Sequence, residues 1–151
     1  MNIDFENCCD ESFNKFEKLF SYFYKKTLKQ LKIKRKTFLE VDIIDNDQIQ
    51  KINAEYRNID RITDVISFAF DDKVPGEPQI INNKVDFLGC VYISHERAKE
   101  QADELNNTFE KEMCFLFVHG LLHLLGYNHI DDDEAEIMYE IQRNIFKGEE
   151  L

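Results

Sequence analysis

From Met113 to Leu125 nine large apolar side chains (Met113, Phe115, Leu116, Phe117, Val118, Leu121, Leu122, Leu124 and Leu125) occupy every side of a predicted helix. A helix that is apolar all round is stable only when other elements enclose it, so the remaining chain has to supply a sheet and further helices around this one. Two imidazoles interrupt the run, His119 and His123, and a buried polar ring without a partner costs free energy. The same segment therefore constrains both the fold and the chemistry.

The rest of the chain has the elements required. Ile3 and Phe5 alternate with acidic neighbours and predict a strand, and Asp10 then caps a helix carrying Phe13, Phe16, Phe20, Phe23, Leu28 and Leu31. Phe38, Val41 and Ile43, opposed by Glu40 and Asp42, predict a second strand. Asp45 or Asn46 caps a short helix that buries Ile49, Ile52 and Tyr56 and ends at Arg57. Asp64 to Phe70 is apolar on nearly both faces, which predicts a third strand inside the sheet. Pro75, Gly76 and Pro78 mark residues 71–84 as an exposed loop. Phe87 to Ser94 predicts a fourth strand, with Ser94 capping a helix that Asn106 and Asn107 break. The apolar helix then runs from about Phe109 to Leu125 and stops at Gly126. Asp131, Asp132 and Asp133 open a last helix bearing Ile137, Ile141 and Ile145. The order β-α-β-α-β-β-α-α-α predicts an α+β fold over residues 1–151, a single domain with a sheet of about four strands.

Composition narrows the class. With 43% hydrophobic residues among 151, the chain can form a core, and no apolar run reaches the roughly 18 residues that span a bilayer. The first residues lack a basic and apolar leader, so a soluble, cytoplasmic protein with no membrane partner is expected. Cys8, Cys9, Cys90 and Cys114 have no C-x-x-C spacing and read as reduced thiols. A net charge of −11 argues against non-specific attraction to phosphate, but the charge is segregated: Lys25 to Lys36 carries +7 and the other residues −18.

Three of the four histidines fall in one stretch, His119-Gly120-Leu121-Leu122-His123-Leu124-Leu125-Gly126-Tyr127-Asn128-His129. Residues four apart share a helix face, so His119 and His123 can point at one cation. Gly126 ends the helix and lets His129 return as a third ligand. Three protein ligands leave a position open, as in catalytic zinc sites, where the water ligand ionises near neutral pH. The competing account is a pair of core histidines hydrogen-bonded to neighbours. The spacing H-x-x-x-H-x-x-G-x-x-H is also that of the metzincin proteases, but their general-base glutamate is Gly120 here, which disfavours that proteolytic mechanism. Because ligand imidazoles must be neutral, activity is expected to fall as pH drops through about 6 to 6.5.

This stretch resembles the H-G-x-L-H-L-x-G-Y-D-H signature of the YbeY family of metal-dependent endoribonucleases. Asn53 to Phe68 resembles that family's N-x-x-Y-R-x-x-D-x-x-T-D-V-L-S-F segment, and Leu88 to Ser94 its L-G-D-I-x-I-S strand. The resemblance runs in order over most of the chain and implies a zincin-like metal helix, one zinc ion on His119, His123 and His129, and Arg57 as the functionally important arginine. Arg57 suits a phosphate, because its planar donors match phosphate oxygens in pairs; unpaired with RNA it would be a surface arginine beside Asp60 or Glu55. The implied activity is single-strand-specific cleavage of RNA in ribosomal RNA maturation and ribosome quality control, with RNA and the ribosome or ribosomal proteins as partners. Asn128 and Cys90 replace aspartates of the family pattern, and Ile62 and Ala69 replace prolines. Cys90 reads as a small buried strand residue or as a thiol near the site. The basic run could track an RNA backbone or be a solvated helix end. Other readings of the same residues are a ribosome- or protein-binding module with a structural metal, and a zinc hydrolase of another substrate.

Overall fold

The computed structural model describes residues 3–70 and 85–151, so the expected loop over 71–84 lies outside the described residues. In chain order the elements are β1 (Ile3–Asn7), a 3-10 turn (Glu11–Lys15), α1 (Phe16–Gln30), β2 (Thr37–Ile44), α2 (Asn46–Arg57), β3 (Val65–Ala69), β4 (Asp86–Ser94), α3 (His95–Leu105), α4 (Phe109–Leu124) and α5 (Asp132–Phe146). This is the expected α+β order. Among the described residues no helix is long and apolar enough to cross a membrane, and all four cysteines are free.

Asp10 does cap, but the turn it caps is the 3-10 segment, and α1 continues from it. Asp45 forms a capping box with Gln48 at the start of α2. Asn58 and Asn106 end α2 and α3 in the left-handed conformation, which asparagine tolerates better than most residues.

The four strands lie in the order β1-β2-β4-β3. β1, β2 and β4 are parallel, and β3 runs antiparallel to β4 at the edge. β3 is therefore not inside the sheet as its composition suggested. Its two apolar faces have another cause: α4 packs on one, and Ile49 of α2 meets Ile66 on the other. In β2 the core-facing residues are Leu39, Val41 and Ile43, so the expected partner Phe38 belongs to the opposite face, where it packs against Phe87 with ring centroids 4.8 Å apart. Tyr56 and Ile137, expected in buried stripes, are 65% and 55% exposed. The buried face of α5 is instead Met138, Gln142 and Ile145, with a polar residue at its centre.

Helix α4 occupies the middle of the molecule. Ten of its residues are buried, Phe117 stacks on Phe20 of α1 at 4.6 Å, and Gly120 lies flat against the sheet. A Cβ at Gly120 would sit 2.8 Å from a methyl of Val91. Position 120 therefore faces β4, and glycine is what lets the metal-helix candidate approach the sheet this closely.

The sheet bends at Gly89, where two residues of β4 fall between the pairs Phe38–Phe87 and Glu40–Cys90. Gly89 has φ +136°, and a Cβ there would lie 2.0 Å from the Phe68 carbonyl oxygen. Gly89→Ala should cost about 3 kcal/mol or more, because conformational strain and a backbone clash coincide. Urea unfolding of the two proteins measures it, and equal midpoints would mean that β3 can part from β4 here without penalty.

Candidate metal centre

The end of α4 shows how a short sequence builds a site. Gly126 has φ +100°; its N–H donates to the His123 carbonyl at 3.1 Å, and the Tyr127 N–H to the Leu122 carbonyl at 3.0 Å. This is the six-to-one and five-to-two pairing of a Schellman cap, with glycine at the left-handed position. The cap reverses the chain and delivers two things to the last turn of α4: the Tyr127 carbonyl and the ring of His129.

Each of the three expected imidazoles offers a nitrogen, and these atoms all lie within 4.8 Å of one another. Ring centroids are 4.6 Å apart for His119 and His123, 5.5 Å for His119 and His129, and 5.1 Å for His123 and His129. His119 and His123 are half-buried and His129 is exposed, so the cluster opens to solvent on the His129 side.

The hydrogen-bond partners decide which nitrogens are bare. His123 Nδ1 is 2.9 Å from the Tyr127 carbonyl oxygen. A carbonyl only accepts, so Nδ1 carries the proton and Nε2 presents a lone pair. That Nε2 lies 3.1 Å from Nε2 of His119. On its other side His119 meets the amide of Gln142 at 2.8 Å, and the Gln142 oxygen is buried with no partner. A converging set of imidazoles with an outer partner on two of the three rings is the donor set that borderline cations such as zinc or nickel prefer. The residues present fit such an ion.

Electrostatics point the same way. Burial, followed by the neighbouring charges of His123 and His129, pushes the His119 pKa down to about 4. Burial chiefly lowers that of His123 as well, with smaller contributions in the same direction from His129 and Arg57 and an opposing one from the Tyr127 carbonyl. Both rings are held in the neutral, ligating form below the usual histidine range, so for these two the pH window lies lower than the 6 to 6.5 expected from the sequence.

Arg57 ends α2 and is exposed. Its charge is felt at His123, and none of the ion pairs among the described residues uses it, Asp60 and Glu55 included. Buried Asn53 fixes the loop after it by donating to the Arg61 carbonyl at 2.9 Å. Cys90 is elsewhere. It lies on the sheet face away from α4, its thiol 3.3 Å from a Glu40 oxygen, and burial with that carboxylate pushes it up to about 12, where it is no nucleophile. His95 packs against Phe13, ring centroids 4.8 Å apart and tilted, and takes no part.

Sequence reasoning missed Gln142 and the Tyr127 carbonyl. A signal for the first was present: Gln142 stands between Met138 and Ile145 on the buried spacing of α5, where a polar residue needs a partner.

Among known proteins, the family model for Endoribonuclease YbeY matches residues 3–149. A protein of Ureaplasma urealyticum named Endoribonuclease YbeY is 50% identical over 116 residues, covering 77% of this chain and 70% of that protein. One of Bacillus cereus with the same name is 38% identical over 147 residues, covering 97% and 94%. Among solved structures, the solution structure of TM1509 from Thermotoga maritima matches with a TM-score of 0.61 at 25% identity, covering 96% of this chain and 89% of that one.

The depressed histidines give a signed expectation for the metal-free protein. An unfolded histidine takes up its proton near pH 6.5, whereas folded His119 resists until about 4. Between those values the unfolded chain binds more protons, so stability falls as pH is lowered through this window. Urea midpoints of chelator-treated protein at pH 7, 5.5 and 4.5 should decline, and His119→Asn should flatten the decline. An unchanged slope in that variant would show that His119 is not held neutral.

Proposed function

The chain belongs to the YbeY endoribonuclease family, and from that premise we propose that it is a zinc-dependent, single-strand-specific endoribonuclease of ribosomal RNA maturation and ribosome quality control. In this reading His119, His123 and His129 hold one zinc ion and Arg57 holds the scissile phosphate. The observation that carries it is the convergence of three imidazole nitrogens within 4.8 Å, beside an arginine whose charge reaches His123 and which makes no ion pair among the described residues.

Held by His119, His123 and His129, a zinc ion would supply positive charge beside the phosphate and Lewis acidity at the open position. The protein's own part is positional. The cap at Gly126 and the Tyr127 carbonyl hold His123 with Nε2 bare, and the wall of α4 excludes water from the buried side. Arg57 binds a phosphate oxygen and stabilises the negative charge that grows on it as the bond breaks. Three histidines with no fourth protein ligand among the described residues favour a catalytic over a structural ion.

The basic run lies at the same end of the fold. Gln30, within it, reaches the carbonyl of Ile141 at 3.4 Å, one residue from Gln142. The Asp86 N–H donates to the Lys36 carbonyl at 2.8 Å, and β4 then leads to Gly89 under Leu124 of α4. Lys29, Lys32, Lys34 and Lys36 are exposed and outside the ion pairs among the described residues. They suit an RNA backbone approaching the centre. The face of the sheet away from α4 carries Asp4, Glu6, Glu40 and Asp42 side by side. Burial, then the charges of Glu40, Glu6 and Asp4, pushes Asp42 up to about 6. This face suits a basic ribosomal protein.

Zinc-loaded protein should cleave unstructured RNA. His119→Ala should abolish cleavage and release the ion, and Arg57→Ala should retain the ion while lowering kcat/KM by about 10²- to 10³-fold. Cleavage at the parent rate in either variant would reject the assignment. Replacing Lys29, Lys32, Lys34 and Lys36 with Gln should raise KM for long RNA and flatten log KM against log salt by about 3, at roughly 0.7 for each phosphate no longer neutralised. An unchanged slope would remove the basic run from the RNA path.

A further inference from the structure

Gln142 is 1% exposed, and its amide belongs to a chain of hydrogen bonds that can be protonated in only one way when no cation is bound. The Tyr127 carbonyl requires a proton on His123 Nδ1, which leaves His123 Nε2 bare. Two bare nitrogens 3.1 Å apart repel, so His119 must place its own proton on Nε2 and donate across that gap. His119 Nδ1 is then an acceptor and receives the Gln142 N–H at 2.8 Å. The remaining end of the amide, Oε1, is buried without a partner, an arrangement that costs free energy.

An ion held by Nε2 of both rings reverses this logic. His119 Nε2 must give up its proton, and Nδ1 must take one, so the ring stays neutral with no net proton gained. A protonated Nδ1 cannot face an N–H at 2.8 Å. The two ends of an amide have the same shape, so Gln142 can turn over and present its oxygen in place of its nitrogen. We propose that Gln142 is a positioning residue whose amide turns with occupancy of the centre, donating to His119 Nδ1 when the ion is absent and accepting from it when the ion is bound.

An amide is suited to both roles. A carboxylate could only accept, which would impose the ligating tautomer permanently and set two bare nitrogens against each other in the metal-free protein. An apolar side chain could do neither. The consequence is a metal-free protein that is stable in its own right, with some affinity for the ion given up. This inference rests on the metal-centre reading above.

Nitrogen-15 spectra of histidine-labelled protein report the tautomer directly. Metal-free protein should show His119 protonated at Nε2, and one equivalent of zinc should move the proton to Nδ1. Gln142→Glu should show Nδ1 protonation before zinc is added and hold zinc about tenfold more tightly in chelator competition. Gln142→Met, of similar length and apolar, should keep the folded spectrum and bind zinc about tenfold more weakly, in the range typical of a lost outer partner. Nδ1 protonation in the metal-free parent, or zinc affinity within twofold of the parent in Gln142→Met, would overturn the proposal. Failure of the parent to take up zinc would instead bring down the metal reading, and this proposal with it.

Discussion

Enclosure of α4 is the constraint on which the other features depend. Its side chains face the sheet, α1, α3 and α5 at once, and each large apolar side chain fully buried contributes about 1.5–3 kcal/mol. A helix held on all sides cannot rotate to relieve a bad fit on one of them. His119 and His123, one turn apart, are therefore kept with their nitrogens 3.1 Å from each other. A surface helix would let the two rings swing apart into water. Here the packing that stabilises the fold also preorganises the donors, and glycine at position 120 is the concession that lets the helix lie against Val91.

The helix end converts that rigidity into a protonation pattern. Gly126 adopts a conformation other residues avoid, the cap places the Tyr127 carbonyl against His123, and a backbone oxygen that can only accept then dictates which nitrogen of His123 is bare. One backbone dihedral thus determines a tautomer. The same reversal of the chain sets His129 on the solvent side, the most exposed of the three rings.

Much of this was legible in the sequence because it depends on local rules. Helix caps, the strand order along the chain and the histidine spacing are set by residues near one another, and they appeared where expected apart from Asp10, which caps a 3-10 turn leading into α1. Errors arose where long-range placement decides. β3 reads as an interior strand because it is apolar on both faces; α4 and α2 cover those faces, yet only one of its edges is paired, and the side-chain pattern of a strand does not show how many of its edges are paired. Phe38 and Leu39 compete for one face of β2, and the bulge at Gly89 lies opposite them on another strand. Tyr56 and Ile137 have helical core spacing but lie beyond the edge of what their helices cover. Gln142 was visible only as an anomaly on α5, since its partner is 23 residues away.

Net charge illustrates how a summed quantity misleads. At −11 the chain reads as a poor ligand for phosphate, but the four carboxylates of Asp4, Glu6, Glu40 and Asp42 lie on the sheet face opposite α4. Lys29, Lys32, Lys34 and Lys36, outside the ion pairs among the described residues, lie toward the end where α4 stops. A polyanion approaching along that end meets these cations together with Asp131, Asp132 and Asp133, exposed just beyond His129, while the acidic face, on the far side of a packed core, is largely screened at physiological salt, where the Debye length is about 8 Å. Attraction of this kind guides a strand over short distances and supplies little long-range capture. An enzyme so charged gains affinity for RNA chiefly when something else has brought the strand close, and a basic partner seated on the acidic face would do that while neutralising the repulsion.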